Sequence, residues 1–141
     1  MRENLFRGKR VGEGTWKCGS YVEQYGATQI YLRNGADEDG FDCYHVEPET
    51  VGQYTGLTDK NGTKIFEGDI VTVPLSWDGD DVMDIGRVFY SERSCGFYRT
   101  SKAFGGVFGV ASGLSGIGTD EYEVIGNIYD NPELIGEKTN D

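Results

Sequence analysis

Residues 53–71 constrain the fold of this chain more than any other stretch. Asp59-Lys60-Asn61-Gly62 has the composition of a four-residue turn, because an Asp side chain accepts hydrogen bonds from backbone N–H groups two residues on, and Asn and Gly tolerate positive φ. Phe66-Glu67-Gly68-Asp69 predicts a second reversal, after which Ile70 opens a run of four β-branched residues. The stretch therefore predicts strand, turn, bend and strand.

We expect the residues of this stretch to have structural roles. Asp69 should accept backbone N–H groups of its own turn and Glu67 should be solvated, rather than the two forming an acid–base carboxylate pair. Gly68 should need positive φ, which a β-branched residue adopts only at a cost. The structural assignment covers Gly56, Asp59, Asn61, Gly62, Phe66, Glu67, Gly68 and Asp69.

Short apolar runs separated by glycine predict an all-β chain with very little helix. The sequence has 22 glycines and only 3 prolines, and glycines spread among such runs indicate turns and bulges. Closure of the strands into a small SH3-like barrel or roll would hide their edges. The predicted strands lie near 4–10, 16–23, 29–33, 41–46, 50–55, 70–73, 85–90, 96–100, 107–110 and 124–129, with one helical turn over 131–134.

The length of 141 residues favours one domain, which is large enough to bury a core of its own. We place this domain at residues 1–135 and expect residues 136–141 to be a frayed tail. Three segments are expected to be loops: 34–40, opened by Asn34-Gly35, the acidic 77–81, and the glycine-rich 111–119.

The formal net charge of −11 argues against a protein that binds duplex nucleic acid by itself, because phosphate contacts need clustered Lys and Arg. The amino-terminal end is locally basic, with Arg7, Lys9 and Arg10 close together. Such an asymmetry indicates either a binding patch or a strand that pairs with acidic neighbours. We interpret these three residues as a candidate subunit interface, in which they face the acidic surface of a neighbouring subunit.

The cysteines and histidine do not predict a metal site or a catalytic set. Cys18, Cys43 and Cys95 are isolated, and with no apolar amino-terminal segment they indicate a reducing cytoplasm and buried or partly buried thiols. A zinc site would have to combine all three with His45, the single histidine. We expect no metal, no cofactor and no membrane segment.

Two acidic runs are candidate calcium sites, namely Asp37, Glu38, Asp39 and Asp42, and Asp78, Asp80, Asp81 and Asp84. Neither has the spacing of an EF-hand loop, so we interpret both as solvated turns. The glycines between 105 and 118 lack the Gly-Lys-Ser/Thr of a phosphate loop. None of these segments therefore predicts a catalytic residue.

Three blocks of the sequence resemble the YopX family, which occurs mostly in bacteriophages and prophages. They are Leu5–Arg10 with Trp16 and Gly19 behind it, residues 53–71, and the run Tyr122–Leu134, "YEVIGNIYDNPEL". The blocks follow one another over nearly the whole chain. The resemblance implies a small barrel with added amino-terminal strands and an uncharacterised phage protein, and it brings no catalytic residues.

Three functions follow as hypotheses. The first is a non-enzymatic phage accessory protein in the bacterial cytoplasm, which acts through contacts with an unknown phage or host protein and as a homo-oligomer. The second is an acidic inhibitor that occupies a host nucleic-acid-binding protein, with carboxylates in place of phosphates. The third is a metal-dependent hydrolase that uses the acidic loops.

Overall fold

The described part of the chain is built almost entirely of β-strands. The structure is a computed structural model and describes residues 5–33, 41–75, 82–110 and 121–136. Two short 3₁₀ turns, Pro48–Thr50 and Pro132–Ile135, lie within these ranges. The strands are β1 Phe6–Lys9, β2 Trp16–Gln24, β3 Ala27–Arg33, β4 Phe41–His45, β5 Gly52–Thr58, β6 Lys64–Phe66, β7 Asp69–Leu75, β8 Val82–Ser91, β9 Gly96–Thr100, β10 Val107–Gly109 and β11 Glu123–Asn127.

Residues Met1–Tyr54 form one compact unit. Its strands are antiparallel and lie in the order β4, β3, β2, β1 and the start of β5. In β1 the side chains alternate, so that Arg7 and Lys9 lie on one face of the sheet and Phe6 on the other. The face of Phe6 also carries the buried side chains of Ile30 and Val46.

Residues Thr55–Asp141 form the second compact unit. Five antiparallel strands follow the order β10, β9, β8, β7 and β11, and the β5–β6 hairpin carries the turn at Asp59. The β-branched residues of β7 lie at the centre of the core. Burial of one Val or Ile side chain stabilises a fold by about 1.5–3 kcal/mol. The core contains Ile65, Val71, Val73, Val88, Val110 and Tyr122, against which Leu57, Phe97 and Val124 pack.

The all-β prediction is confirmed, whereas the predicted closure into a barrel is wrong. Closure would require the outer strands of a sheet to pair with each other. Within the described residues β10 pairs only with β9 and β11 only with β7, so the strands form two open antiparallel sheets. The helical turn expected near Pro132 is present as a 3₁₀ turn that ends at Gly136 in the left-handed region.

Several sequence predictions fall outside the described residues. They are the Asn34-Gly35 turn with its acidic loop, the acidic segment 77–81, the glycine-rich loop 111–119 and all but the first residue of the tail. The single domain at 1–135 stays a prediction, because a compact unit is not by itself an independently folding domain. In the ranges described, no helix has the length and apolarity to cross a membrane.

Candidate interaction surface

The turn after β5 is organised by the buried carboxylate of Asp59. This carboxylate accepts hydrogen bonds from the backbone N–H groups of Asn61 and Thr63, each at 2.9 Å. It also accepts the N–H of Val124 at 2.9 Å, which fastens the turn to β11. Gly62 has φ +81° and donates its N–H to the Asp59 carbonyl, as the turn composition predicts.

These contacts keep Asp59 ionised in spite of its burial. Desolvation raises the pKa of the carboxyl group, but the N–H donors of Val124, Thr63 and Asn61, together with the charge of Lys60, outweigh it. The pKa of Asp59 is therefore lowered below its ordinary value, because each donor favours the charged form.

The second reversal of the stretch is organised by Gly68 and Asp69. Asp69 is buried and accepts the N–H of Phe66 at 2.7 Å, which is the turn contact expected from the sequence. Gly68 has φ +93°; its N–H donates to the Val88 carbonyl at 2.8 Å, and its carbonyl accepts the N–H of Ile128 at 2.9 Å. The backbone groups of Gly68 are thus hydrogen-bonded to β8 and to the residue that follows β11, in a conformation that L-residues rarely adopt.

The basic residues of the first strand do not share one surface. Arg7 lies on the face of Trp16, with its guanidinium carbon 4.8 Å from the ring centroid. Arg10 lies on the opposite face, 5.1 Å from the Tyr44 ring centroid, and pairs with Glu13 at 2.6 Å. The period of two along a strand separates these charges, so Arg7, Lys9 and Arg10 do not form a single patch.

The thiols lie where solvent reaches them, so their predicted burial is wrong. Cys18 and Cys43 are exposed on strands of the first unit, and Cys95 is exposed in the turn between β8 and β9. His45 pairs across the sheet with Gln29. In the ranges that the structure describes, no group of His, Cys, Asp and Glu residues is arranged to hold a metal ion.

A buried polar cluster, which the sequence analysis missed, links β8, β9 and the loop after β9. Asp84 is 1% exposed and forms an ion pair with Arg99 at 2.7 Å. The same carboxylate accepts the hydroxyl of Ser101 at 2.7 Å and the N–H of Ala103 at 3.0 Å. The guanidinium of Arg99 also donates to the Tyr122 hydroxyl at 3.2 Å. The cluster holds the loop at residues 101–106 against the edge of the core.

Asp84 therefore does not belong to a solvated acidic turn, and that prediction is wrong for this residue. The sequence signal was the alternation along β8, which places Asp84 on the buried face with Val88. Burial raises the pKa of Asp84, but the N–H of Ala103 and the side chains of Arg99 and Ser101 outweigh it. The pKa of this carboxyl group is lowered, so Asp84 is ionised at neutral pH.

An exposed apolar cluster, which we call the β10 cluster, consists of Phe104 and Phe108. Their exposed fractions are 50% and 37%, and their rings meet edge to face at 5.8 Å. Arg99 supports the cluster from the inner side, with its guanidinium carbon 5.0 Å from the Phe108 ring centroid and 5.7 Å from that of Tyr122. The arrangement offers an apolar surface on an outer strand, which is suited to burial against another protein.

Comparison with known proteins supports one family. A family model described as YopX protein matches residues 13–136. Among solved structures the chain is similar to the crystal structure of protein EF1440 from Enterococcus faecalis, with 22% identity and a TM-score of 0.53 over 96% of this chain and 99% of that one. At this identity the likeness shows the fold alone. No curated protein matches the chain.

Proposed function

The chain belongs to the YopX family, and on this premise we propose that it is a non-enzymatic phage or prophage accessory protein. It acts in the bacterial cytoplasm through protein contacts and self-associates as a symmetric homo-oligomer. The observation that carries the proposal is the β10 cluster, an apolar surface held in place by a buried ion pair.

The β10 cluster favours a protein contact because of its composition and its place in the sheet. Scattered apolar residues are normal on a protein surface, whereas contiguous ones at an interaction site exclude water when a partner covers them. β10 is also the last described strand on its side of the sheet. Outer strands are the places where sheets extend into neighbouring chains, and closed symmetric pairing limits that extension.

The buried carboxylates of the described residues favour a non-enzymatic role. Asp59, Asp69 and Asp84 each accept at least one backbone N–H group, and Asp84 also pairs with Arg99. The pKa values of Asp59 and Asp84 are lowered, whereas a general acid or base works best with a pKa near the operating pH. These groups are suited to holding the fold together.

We also propose that the strands of the second unit follow an SH3-like arrangement.

Light scattering and sedimentation of the purified chain test the self-association. We expect an oligomer at micromolar concentration that Phe104→Glu converts to a monomer, because a charge in the β10 cluster cannot be buried without a partner. Val11→Glu is the matched control, since Val11 is 50% exposed in the other unit and should leave the oligomer intact. A monomeric wild-type chain, or an oligomer that both variants share, would overturn the role of the cluster.

Salt dependence separates this contact from one made by the basic first strand. An apolar contact should persist or strengthen in high salt, whereas a contact of Arg7 and Arg10 with an acidic neighbour should weaken in salt and on reversal of both residues to Glu.

The net charge of −11 favours a second candidate, an acidic inhibitor of a host nucleic-acid-binding protein. Its complex with the host protein should dissociate steeply as salt rises, and displaced nucleic acid should be measurable. A wild-type monomer that forms such a complex would favour this candidate over the self-associating module.

A further inference from the structure

The hairpin between β2 and β3 carries a residue that its backbone does not favour. Gln24 and Ala27 form the last cross-strand pair, and Tyr25 and Gly26 make the two-residue turn. Their φ angles are +54° and +77°. A two-residue hairpin turn with both angles positive prefers Asn-Gly, Asp-Gly or Gly-Gly, and a bulky residue is rare at such a φ. Tyr is thus a costly choice for the first position.

The packing of the fold does not compensate for this cost. The Tyr25 side chain is 97% exposed, so its ring buries almost no apolar area. A Cβ on the neighbouring Gly26 would meet open space, which shows that the turn is not crowded by the rest of the chain. A residue with a strained backbone that does not contribute to the core indicates a role other than stabilising the fold.

The surroundings of Tyr25 indicate the chemistry of what it contacts. In β2 Tyr21 is 37% exposed, and the hydrogen bond of its hydroxyl with the Glu23 carboxylate raises the pKa of Tyr21. The tip therefore presents an open aromatic ring two residues from a carboxylate. An aromatic face and an anion together attract a Lys or Arg side chain.

The same unit already pairs cations with its own rings. Lys17 lies 4.5 Å and Arg10 5.1 Å from the centroid of the Tyr44 ring. The ring of Tyr25 is open instead, on a chain whose net charge of −11 attracts cationic partners. We infer that the β2–β3 hairpin tip is a docking site for a basic segment of a partner protein, with Tyr25 as the anchor and Glu23 as the adjacent charge.

The test uses the full chain and a short glycine-serine peptide with spaced arginines, beside the same peptide with citrulline in place of arginine. We expect the arginine peptide to bind and to shift NMR signals around residues 23–27, and the citrulline peptide to bind more weakly. Tyr25→Asn should lower the affinity by about two- to fivefold, the factor that corresponds to one exposed cation–π contact. Tyr25→Phe should retain it, and Tyr90→Asn is the matched control at another exposed tyrosine.

The stability of the Tyr25→Asn variant should change in the opposite direction to its peptide affinity. Asn tolerates the left-handed conformation, so Tyr25→Asn should raise the midpoint of urea unfolding while it weakens binding. Lower stability of this variant would mean that Tyr25 serves the fold and would overturn the inference. Equal binding by Tyr25→Asn, or shifts spread over the whole acidic surface, would also overturn it. A loss of self-association in Tyr25→Asn would identify a second copy as the occupant and reject the basic partner. The Phe104→Glu variant tests the β10 cluster separately.

Discussion

At the scale of single residues, two positions of the 53–71 stretch decide how the chain turns. The carboxylate of Asp59 accepts hydrogen bonds from three backbone N–H groups. Gly68 adopts a φ of +93° while its N–H and its carbonyl are both hydrogen-bonded. Other residue types fit these positions poorly, because the first needs an anionic acceptor and the second needs no Cβ. Glu67, within the second reversal, is partly exposed.

The Gly68→Val variant should lose about 2 kcal/mol or more in free energy of unfolding, since a left-handed φ costs an L-residue about 1–2 kcal/mol and a β-branched one more. Glu67→Ala should change the free energy by less than about 0.5 kcal/mol. Urea denaturation measures both. Gly106→Val is the matched control, because Gly106 has no left-handed φ and a Cβ there meets open space. Equal losses in the two glycine variants would contradict the backbone explanation.

At the scale of elements, the Asp84–Arg99 pair couples β8 and β9 to the loop that precedes β10. Breaking one side of a buried pair leaves the other charge without compensation, whereas removing both relieves that penalty. Ser101 and Ala103 use the same carboxylate, so the loop depends on it as well. Since Arg99 also supports the Phe108 ring, the position of the β10 cluster depends on this pair.

A double-mutant cycle tests this coupling. Asp84→Val and Arg99→Met should each cost about 3–5 kcal/mol in free energy of unfolding, and the double variant should cost clearly less than their sum. Urea denaturation provides the values. Glu13→Gln is the control, because the Arg10–Glu13 pair is on the surface and is worth less than about 1 kcal/mol. Additive losses would show that Asp84 and Arg99 act independently.

At the scale of the whole molecule, the acidic composition and the buried aspartates make stability depend on pH. Asp59 and Asp84 have lowered pKa values in the folded state. Each therefore contributes stability that is present above the ordinary aspartate pKa of about 4 and is lost as pH falls through its lower folded value. Both groups belong to the second unit, so the acid-sensitive contacts lie there.

The free energy of unfolding should accordingly fall as pH drops below about 4. Asp59→Asn and Asp84→Asn should each be less stable at neutral pH and show a shallower acid dependence, because the titrating group is gone. Thermal unfolding monitored by circular dichroism at several pH values measures this. A variant whose acid dependence matches the wild type in slope would show that the substituted carboxyl group has no part in acid unfolding.

Much of the local structure could be predicted from the sequence, because it depends on residues within a few positions of one another. The Asp59 turn closes through contacts two and four residues along the chain, and the alternation along β2 requires only the period of a strand. The same local rule separates Arg7 from Arg10, although their proximity in the chain suggests a single basic surface. Strand identity and turn chemistry were thus determined by the sequence itself.

The tertiary structure decided what depends on distant partners. The Asp59–Val124 hydrogen bond joins residues 65 positions apart, and Arg99 reaches Tyr122 across 23. No local pattern specifies such a pairing, since register and packing select the partner only when the strands assemble. The open ends of the sheets, the exposure of Cys18 and the apolar surface of the β10 cluster follow from the same assembly. Whether a side chain is covered depends on the elements that pack over it, and its sequence neighbours do not determine them.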